Sequence, residues 1–507
     1  MRIIPRAFPL VSIAAAMLLL LTDHAEAQGR HARLSRDLVD RLQAGDTTDT
    51  SVIVTGTQAR VNAIAARHGL RLRKRLASGA VLDVPAGRLA ALAADGTLDQ
   101  LSSNQRVRSN MAVTNEAIGA NLAWAGDIAE GVEAVTGHGI GVAVIDSGVA
   151  NLPQLRGRIV ASVDFTDRNG KARDEFGHGT HVAGIIAAGA NRRDDTSGVA
   201  PGANIINLKV LDANGAGEAS DVIEAIDWVI ANQRRYRIRV INLSLGAPVL
   251  QSWQDDPLCQ AVQRAYRAGL IVVAAAGNNG KTADGRPVIG GIESPANSPF
   301  AVTVGALNTK GTGVRSDDLM ATYSSRGPTL IDGLIKPDLA APGNKIVGLL
   351  ALQSTLAREY PEFVIDTTEG KRLQLSGTSM SAAVVSGAAA LMLDSTPALG
   401  PAAVRFALQY SAEYVPGEGL IASGAGRLNV AAALSMPHPE SATGIAGETQ
   451  TPGHVAFQVK STIGATDTVI WGSDTVIWGS DTVIWGSDTV IWGSDTVIWG
   501  SSILSGD

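Results

Sequence analysis

The sequence predicts an α/β protein: a large unit built on a doubly wound, mainly parallel sheet, preceded by a small α+β unit. Two observations carry this. Between Gly139 and Ala306, short continuous β-branched or apolar runs alternate with segments of helical length. Parallel strands buried on both faces and joined by crossover helices give that pattern. Upstream, six shorter segments within residues 51–108 read strand, helix, strand, strand, helix, strand. The 507 residues exceed one typical domain, so two or three units are expected.

The chain begins with Arg2 and Arg6 ahead of an apolar run, Ala7 to Leu21, followed by Ala25-Glu26-Ala27. A basic start, a short apolar stretch and an A-x-A site read as a secretory signal peptide over residues 1–27, cut after Ala27. The destination is then extracellular, periplasmic or cell-surface. The run is short for a membrane span, which makes an uncleaved anchor the lesser alternative. Residues 28–50, polar and mixed in charge, read as a linker. In the small unit, Val52–Val54 reads as a strand, Ala59–His68 as a helix, Leu70–Leu76 and Ala80–Val84 as strands, Leu89–Ala94 as a helix and Leu98–Val107 as a last strand. That order is the ferredoxin-like arrangement. A unit of about 60 residues is marginal alone and is expected to lean on a partner surface. Arg71, Arg73, Lys74 and Arg75 give it a basic edge, read as a solvated face.

The large unit is taken to run from 109 to 435. Its connector, Ser109 to Gly139, contains Trp124. Strands are expected at Gly139–Asp146, Ile205–Leu211, Val240–Leu245, Leu270–Ala276 and Phe300–Ala306, and helices at Gly179–Ala188, Ala219–Asn232 and Pro257–Arg267. A last helix, starting at Gly377-Thr378-Ser379-Met380-Ser381, continues through a run of small and apolar residues to Leu393, which suits a buried helix. In such a fold the ligand crevice lies beyond the carboxyl ends of the strands.

Composition narrows the function classes. The net charge of −6 is modest and mixed in sign, which gives no sign of nucleic-acid binding. Cys259 is the only cysteine, so no internal disulfide can form, and it reads as a small buried hydrophobe.

Several polar residues fall where the crevice is expected. Asp146 closes its apolar run, and a carboxylate at the tip of a buried strand needs a partner. His178 stands between glycines at a helix entry, where an imidazole can take a proton from a hydroxyl. Ser379 starts a helix, beside free backbone N–H groups and the positive end of the helix dipole. Asn278 ends the run Ala275-Ala276-Gly277 and offers an amide donor. Each taken alone has a plainer reading, as a turn Asp, a turn Asn or a capping Ser. His181, three residues after His178, reads as a structural histidine inside the helix.

Together they occur in the order Asp…His…Ser, the chain order of subtilisin. The chain resembles the subtilisin-like serine peptidases through Ala143-Val144-Ile145-Asp146-Ser147-Gly148, Gly177-His178-Gly179-Thr180-His181-Val182-Ala183-Gly184 and Leu375-Ser376-Gly377-Thr378-Ser379-Met380-Ser381-Ala382. Supporting matches are Ser197–Pro201, Asn242–Gly246, Ala275–Asn278 and Lys336–Gly343. The resemblance implies a subtilisin-like catalytic domain cleaving polypeptides, with Ser379 as nucleophile, His178 as general base and Asp146 orienting it. It implies Asn278 and the Ser379 N–H as oxyanion donors. Ser244, Leu245 and Gly246 with Ala275, Ala276 and Gly277 resemble the walls of the primary specificity pocket, and small walls suggest apolar side chains. Gly215 and Gly217 resemble the edge that pairs with an extended substrate. The unit at 51–108 resembles the family's inhibitory propeptide, so a self-processed zymogen is expected, cut near Ser109–Asn115. No cofactor is expected. Many relatives bind calcium through an Asp nine residues past the catalytic Asp, but here that residue is Leu155, and the loop Gly189–Ser197 lacks the oxygen-rich pattern despite Asp194 and Asp195. The usual calcium site is therefore not expected, and a different one is left open.

Two other classes compete. A non-catalytic binding protein on the same scaffold would leave catalytic positions unfilled, and here all are filled. An esterase-type α/β-hydrolase would show the order Ser…Asp…His. Beyond a Gly/Thr/Ser-rich linker, 436–466, Asp-Thr-Val-Ile-Trp-Gly-Ser repeats five times from Asp467 to Ser501. Thr-Val-Ile-Trp favours strands and Gly-Ser-Asp favours turns, so short strands or an extended tail are expected. Its regular Trp row suits a glycan, a cell-envelope component or other copies of the tail, against the plain alternative of a repeat without a ligand.

Overall fold

The computed structural model describes residues 32–76, 78–104, 110–126, 134–167, 170–189, 197–367 and 370–435, with the backbone of short strands farther on. The expected signal peptide, most of the loop Gly189–Ser197 and residues 105–109 lie outside the described residues. The chain divides into two units, Met1–Val107 and Arg108–Asp507.

In the first unit, β1 (Arg33–Leu34), β2 (Thr50–Thr55), β3 (Arg71–Leu76), β4 (Gly79–Val84) and β5 (Gln100–Ser103) form one sheet in the order β1-β5-β2-β4-β3. Helices α1 (Arg36–Gln43), α2 (Gln58–His68) and α3 (Leu89–Ala93) accompany it. β2 runs antiparallel to both β4 and β5, and its Val52 and Val54 share a core with Val61, Ile64, Leu82, Leu92 and Leu101. Helix α2 starts where the Thr57 side chain accepts from the Arg60 N–H and stops at Gly69, whose left-handed conformation costs least without a side chain. The basic segment is strand β3 at the sheet edge, mostly exposed, where charge discourages pairing with other chains.

The stretch 28–50, expected to be a linker, instead contributes β1 and α1 within 33–43, with β1 paired to β5 of this sheet. Leu34, Leu38 and Leu42 recur every four residues; Leu38 is fully buried and the other two pack against the same core. The charged residues between them hid that stripe.

In the second unit, α4 (Asn110–Ile118) and α5 (Ala120–Ala125) precede β6 (Gly141–Asp146), which is buried at every position. Such a strand must be paired on both edges and covered on both faces. β7 (Ile159–Asp164), β8 (Asn204–Lys209), β9 (Ile238–Leu243), β10 (Ile271–Ala275), β11 (Val302–Asn308) and β12 (Leu319–Met320) complete the order β12-β11-β10-β9-β6-β8-β7, with β13 (Leu339–Pro342) also on β11. All pairs are parallel except β11 with β12. Alternate residues of β6 feed two cores. Val142 and Val144 face one that includes α6 (His178–Ala187), while Ala143 and Ile145 face α7 (Ala219–Tyr236) and α8 (Pro257–Arg267). The observed fold is the doubly wound, mainly parallel α/β arrangement expected from the sequence.

Strands β9 and β10 end sooner than expected. That leaves Ser244-Leu245-Gly246 and Ala276-Gly277 as loops past their carboxyl ends. A small antiparallel sheet, β14 (Ile346–Gly348), β15 (Val364–Thr367) and β16 (Gly370–Leu375), precedes α9 (Thr378–Ser395). Helix α9 is buried almost throughout, as its small residues allow. Cys259 is buried, and burial pushes its thiol up to about 12. In the tail, Thr468–Trp471, Thr482–Trp485 and Thr496–Trp499 pair in parallel with identical residues opposed, and Thr475–Trp478 pairs likewise with Thr489–Trp492.

A buried ion cluster holds β13 to the helix Pro401–Tyr410 (α10). Lys336 Nζ donates to Asp338 Oδ2 at 2.7 Å and to the Ala301 carbonyl at 2.8 Å. The Thr303 N–H donates to Asp338 Oδ2 at 2.6 Å, and Arg405 pairs with Oδ1. Burial alone would raise the Asp338 pKa, but the Arg405 and Lys336 charges outweigh it and hold the carboxyl below the usual range. Replacing Asp338→Ala strands the buried Lys336 ammonium. A loss of about 3–5 kcal/mol is expected, measured as a lower denaturation midpoint.

Candidate active site

Asp146 ends β6, and its side chain has no exposure to water. A buried carboxylate must be fully hydrogen-bonded to persist as an anion. Oδ1 accepts from the Ser147 N–H at 2.7 Å and lies 2.8 Å from His178 Nδ1, with Oδ2 2.9 Å from the same nitrogen. The Nδ1 proton is thus committed to the carboxylate, which leaves Nε2 of the neutral imidazole as an acceptor.

The close approach of α6 to β6 depends on Gly179. A methyl group added there would lie 2.2 Å from the Gly148 carbonyl oxygen and 3.2 Å from Asp146. Asp174, itself buried, caps the start of the helix. It accepts from the Gly177 N–H at 2.6 Å, the Thr180 N–H at 2.8 Å and Ser147 Oγ at 2.8 Å. Ser147 Oγ in turn accepts from the Gly179 N–H at 3.0 Å. Burial pushes the Asp174 carboxyl above its usual range despite these donors.

Burial also opposes a charged His178. The Asp146 carboxylate, by its charge and its hydrogen bond, and the Asp174 charge outweigh that, so the His178 pKa lies above the ordinary value. His181 is a different case. It is fully buried, and its Nε2 donates to the Ile346 and Leu373 carbonyls at 3.2 and 3.1 Å, fastening β14 and β16 to α6. Burial, then the neighbouring His178, push its pKa down to about 4, so it stays neutral near pH 7.

Ser379 is the second residue of α9. Its Oγ donates to the Ser244 carbonyl at 3.1 Å, and Ser244 Oγ donates to the Ser379 carbonyl at 2.9 Å. Among the described residues Ser379 Oγ makes no hydrogen bond to His178 Nε2; such contacts often tighten only when substrate is bound. Asn278 is exposed, and its Oδ1 accepts from Thr378 N–H and Oγ1 at 3.0 and 3.2 Å. Thr378 Oγ1 accepts from the Gly277 N–H at 3.1 Å. With its oxygen so engaged, the Asn278 amide turns its Nδ2 toward Gly377, 3.4 Å from where a methyl group added to that glycine would lie.

One cleft is lined by His178, Leu211, Gly215, Gly217 and Ser244–Gly246, which brings these expected substrate contacts together with the histidine. Ala275 and Ala276 are buried, and Ala276 spends its N–H on the Val304 carbonyl and its own carbonyl on the Glu293 N–H. Leu155 is packed in the apolar core and offers no side-chain oxygen where the resemblance would place a calcium ligand. Among the described residues no group of three or more His, Cys, Asp or Glu could hold a metal ion. Sequence reasoning assigned no role to Asp174, Ser147 or Thr378. All three stand inside or beside the motifs; Asp174 bonds locally to Gly177 and Thr180, but the bonds Ser147–Asp174, Ser147–Gly179 and Thr378–Asn278 join segments 27, 32 and 100 residues apart.

The family model described as the subtilase family matches residues 137–444. The chain is 35% identical over 332 residues to the serine protease AprX of Bacillus subtilis strain 168, covering 64% of this chain and 72% of that protein. It is 37% identical over 292 residues to subtilisin E of the same strain, covering 56% and 65%, the latter just under two thirds of subtilisin E. With an extracellular serine proteinase of Thermus sp. strain Rt41A it shares 31% identity over 422 residues, covering 80% of this chain and 90% of that one.

An NMR titration checks the electrostatics. His178 is expected to titrate above the ordinary imidazole value of about 6.5. Asp146→Asn removes the charge that offsets burial and should move that pKa down.

Proposed function

The chain belongs to the subtilase family of serine endopeptidases, and from that premise we propose that it is a secreted enzyme acting through Asp146, His178 and Ser379 and made as a zymogen that processes itself. The observation that carries this reading is the Asp146–His178 pair at the tip of a fully buried strand, with Nδ1 2.8 and 2.9 Å from the two carboxylate oxygens. Ser379 Oγ attacks the scissile carbonyl carbon and passes its proton to His178 Nε2. The imidazolium so formed is stabilised by Asp146 and then protonates the leaving amine. Asn278 Nδ2 and the Ser379 N–H hold the oxyanion of each tetrahedral intermediate. Water, deprotonated by His178, hydrolyses the acyl-enzyme and restores Ser379. Gly215 and Gly217 pair with the extended substrate, and Ser244–Gly246 with Ala275–Gly277 hold the side chain next to the scissile bond.

Secretion is supported by the signal-like N-terminus and by the Thermus relative, which is described as extracellular. The unit over 51–108 serves as intramolecular inhibitor and folding aid. The Trp-bearing tail serves as a cell-envelope or glycan anchor. Binding of the full chain to envelope fractions, compared with a chain ending at residue 466, tests that role.

Ser379→Ala is expected to abolish casein hydrolysis and labelling by a serine-directed fluorophosphonate. By mass spectrometry it should leave an uncut precursor; normal maturation of this variant would mean that another protease makes the cut. Asn278→Ala should lower kcat by about 10²–10³, the loss known for the side-chain oxyanion donor of subtilisin itself, carried over to this chain. Because the base must be neutral, kcat/KM should fall as pH drops through the raised pKa of His178, and Asp146→Asn should move that acid limb down.

A further inference from the structure

Resting on the endopeptidase reading, the two loops past β9 and β10 carry a more specific consequence. The start of α9 stands over both at once. Ser379 is bonded to the Ser244 carbonyl, and Thr378 Oγ1 to the Gly277 N–H. The side chain of the residue whose carbonyl Ser379 attacks therefore enters between Ser244–Gly246 and Ala275–Gly277.

A distant segment closes that gap. The Glu293 N–H donates to the Ala276 carbonyl at 3.1 Å, and Ser294 exchanges two backbone hydrogen bonds with Ala247 at 2.8 and 2.9 Å. Residues 293–294 thus bridge the ends of both walls. The Glu293 side chain lies against the two wall glycines. A methyl group added to Gly246 would lie 2.2 Å from Oε2, and one added to Gly277 would lie 2.9 Å from Cδ. Nothing larger than glycine fits at either position without moving the carboxylate.

The carboxylate itself is only half satisfied. Oε1 accepts from Asn279 Nδ2 at 2.7 Å. Among the described residues Oε2 has no hydrogen bond and Glu293 forms no ion pair. Burial pushes its carboxyl above the usual range, the Asn279 bond opposing. An anion partly withdrawn from water and lacking a counter-charge is a poor neighbour for an apolar side chain and a worse one for an acid.

We propose that Glu293 forms the floor of the primary specificity pocket and selects lysine or arginine on the acyl side of the scissile bond. This replaces the apolar preference suggested by the small walls. A cationic side chain threads its aliphatic stem between the two glycine-bearing loops and gives Oε2 the charged donor it lacks. Discrimination comes from the asymmetry between a paired and an unpaired charge that is half-buried.

The test is kcat/KM on four peptide substrates that differ only at this residue: Lys, Arg, Phe and Glu. The mature wild-type protein should rank Lys and Arg above Phe, and Glu last. Glu293→Gln should lower the Lys:Phe and Arg:Phe ratios roughly 10- to 100-fold, the worth of a hydrogen bond to a charged group. A wild-type preference for Phe, or ratios unchanged by Glu293→Gln, overturns the assignment while leaving the endopeptidase reading intact. No hydrolysis of any of the four overturns both. Because the wild-type ranking needs no substitution, it decides the matter if the variant fails to fold.

Discussion

The site depends on one carboxylate that water never reaches. Asp146 sits at the end of a strand buried on both faces, and its hydrogen bonds come from Ser147 and His178. Removing water strengthens the attraction between Asp146 and an imidazolium, and it also makes a missing partner costly. The helix carrying His178 must therefore lie hard against β6. Gly179 permits that contact, and Asp174 and Ser147 fix the helix start in place. The neighbouring His181 works in the opposite direction, held neutral by burial and used as a fastener for β14 and β16.

The second half of the site follows from the doubly wound sheet. Parallel strands present all their carboxyl ends on one side, so loops after β6, β9 and β10 converge there without any special device. Helix α9 crosses beneath them, and its small residues let the backbone carrying Ser379 come within hydrogen-bond reach of Ser244. The Lys336–Asp338–Arg405 cluster secures β13 beside β11, far from solvent. Glu293, by contrast, is an acid whose counter-charge the described part of the chain does not supply, and a substrate can.

The outlying regions obey simpler rules. The first unit closes one edge of its sheet with a strongly basic strand, which resists pairing with other chains. In the tail, identical residues lie opposite one another in parallel strands, the register a perfect repeat favours because every strand offers the same partners.

Local pattern alone determined the alternation of strands and helices, the order of Asp146, His178 and Ser379, and the small residues of the last helix, because periodicity and short motifs are properties of neighbouring residues. It passed over α1, whose Leu34, Leu38 and Leu42 stripe is diluted by charges, and the short strands β7, β13 and β14–β16, which are held by pairing rather than by propensity. Only tertiary structure decided that Thr378 orients Asn278, that Asp174 holds the Ser147 hydroxyl against the start of the His178 helix, and that Glu293 lies between Gly246 and Gly277. Glu293 is 47 residues from the first of those glycines and 16 from the second, counted as 293 − 246 and 293 − 277. Contacts of that kind are created when strand ends meet, and no local pattern in the chain records them.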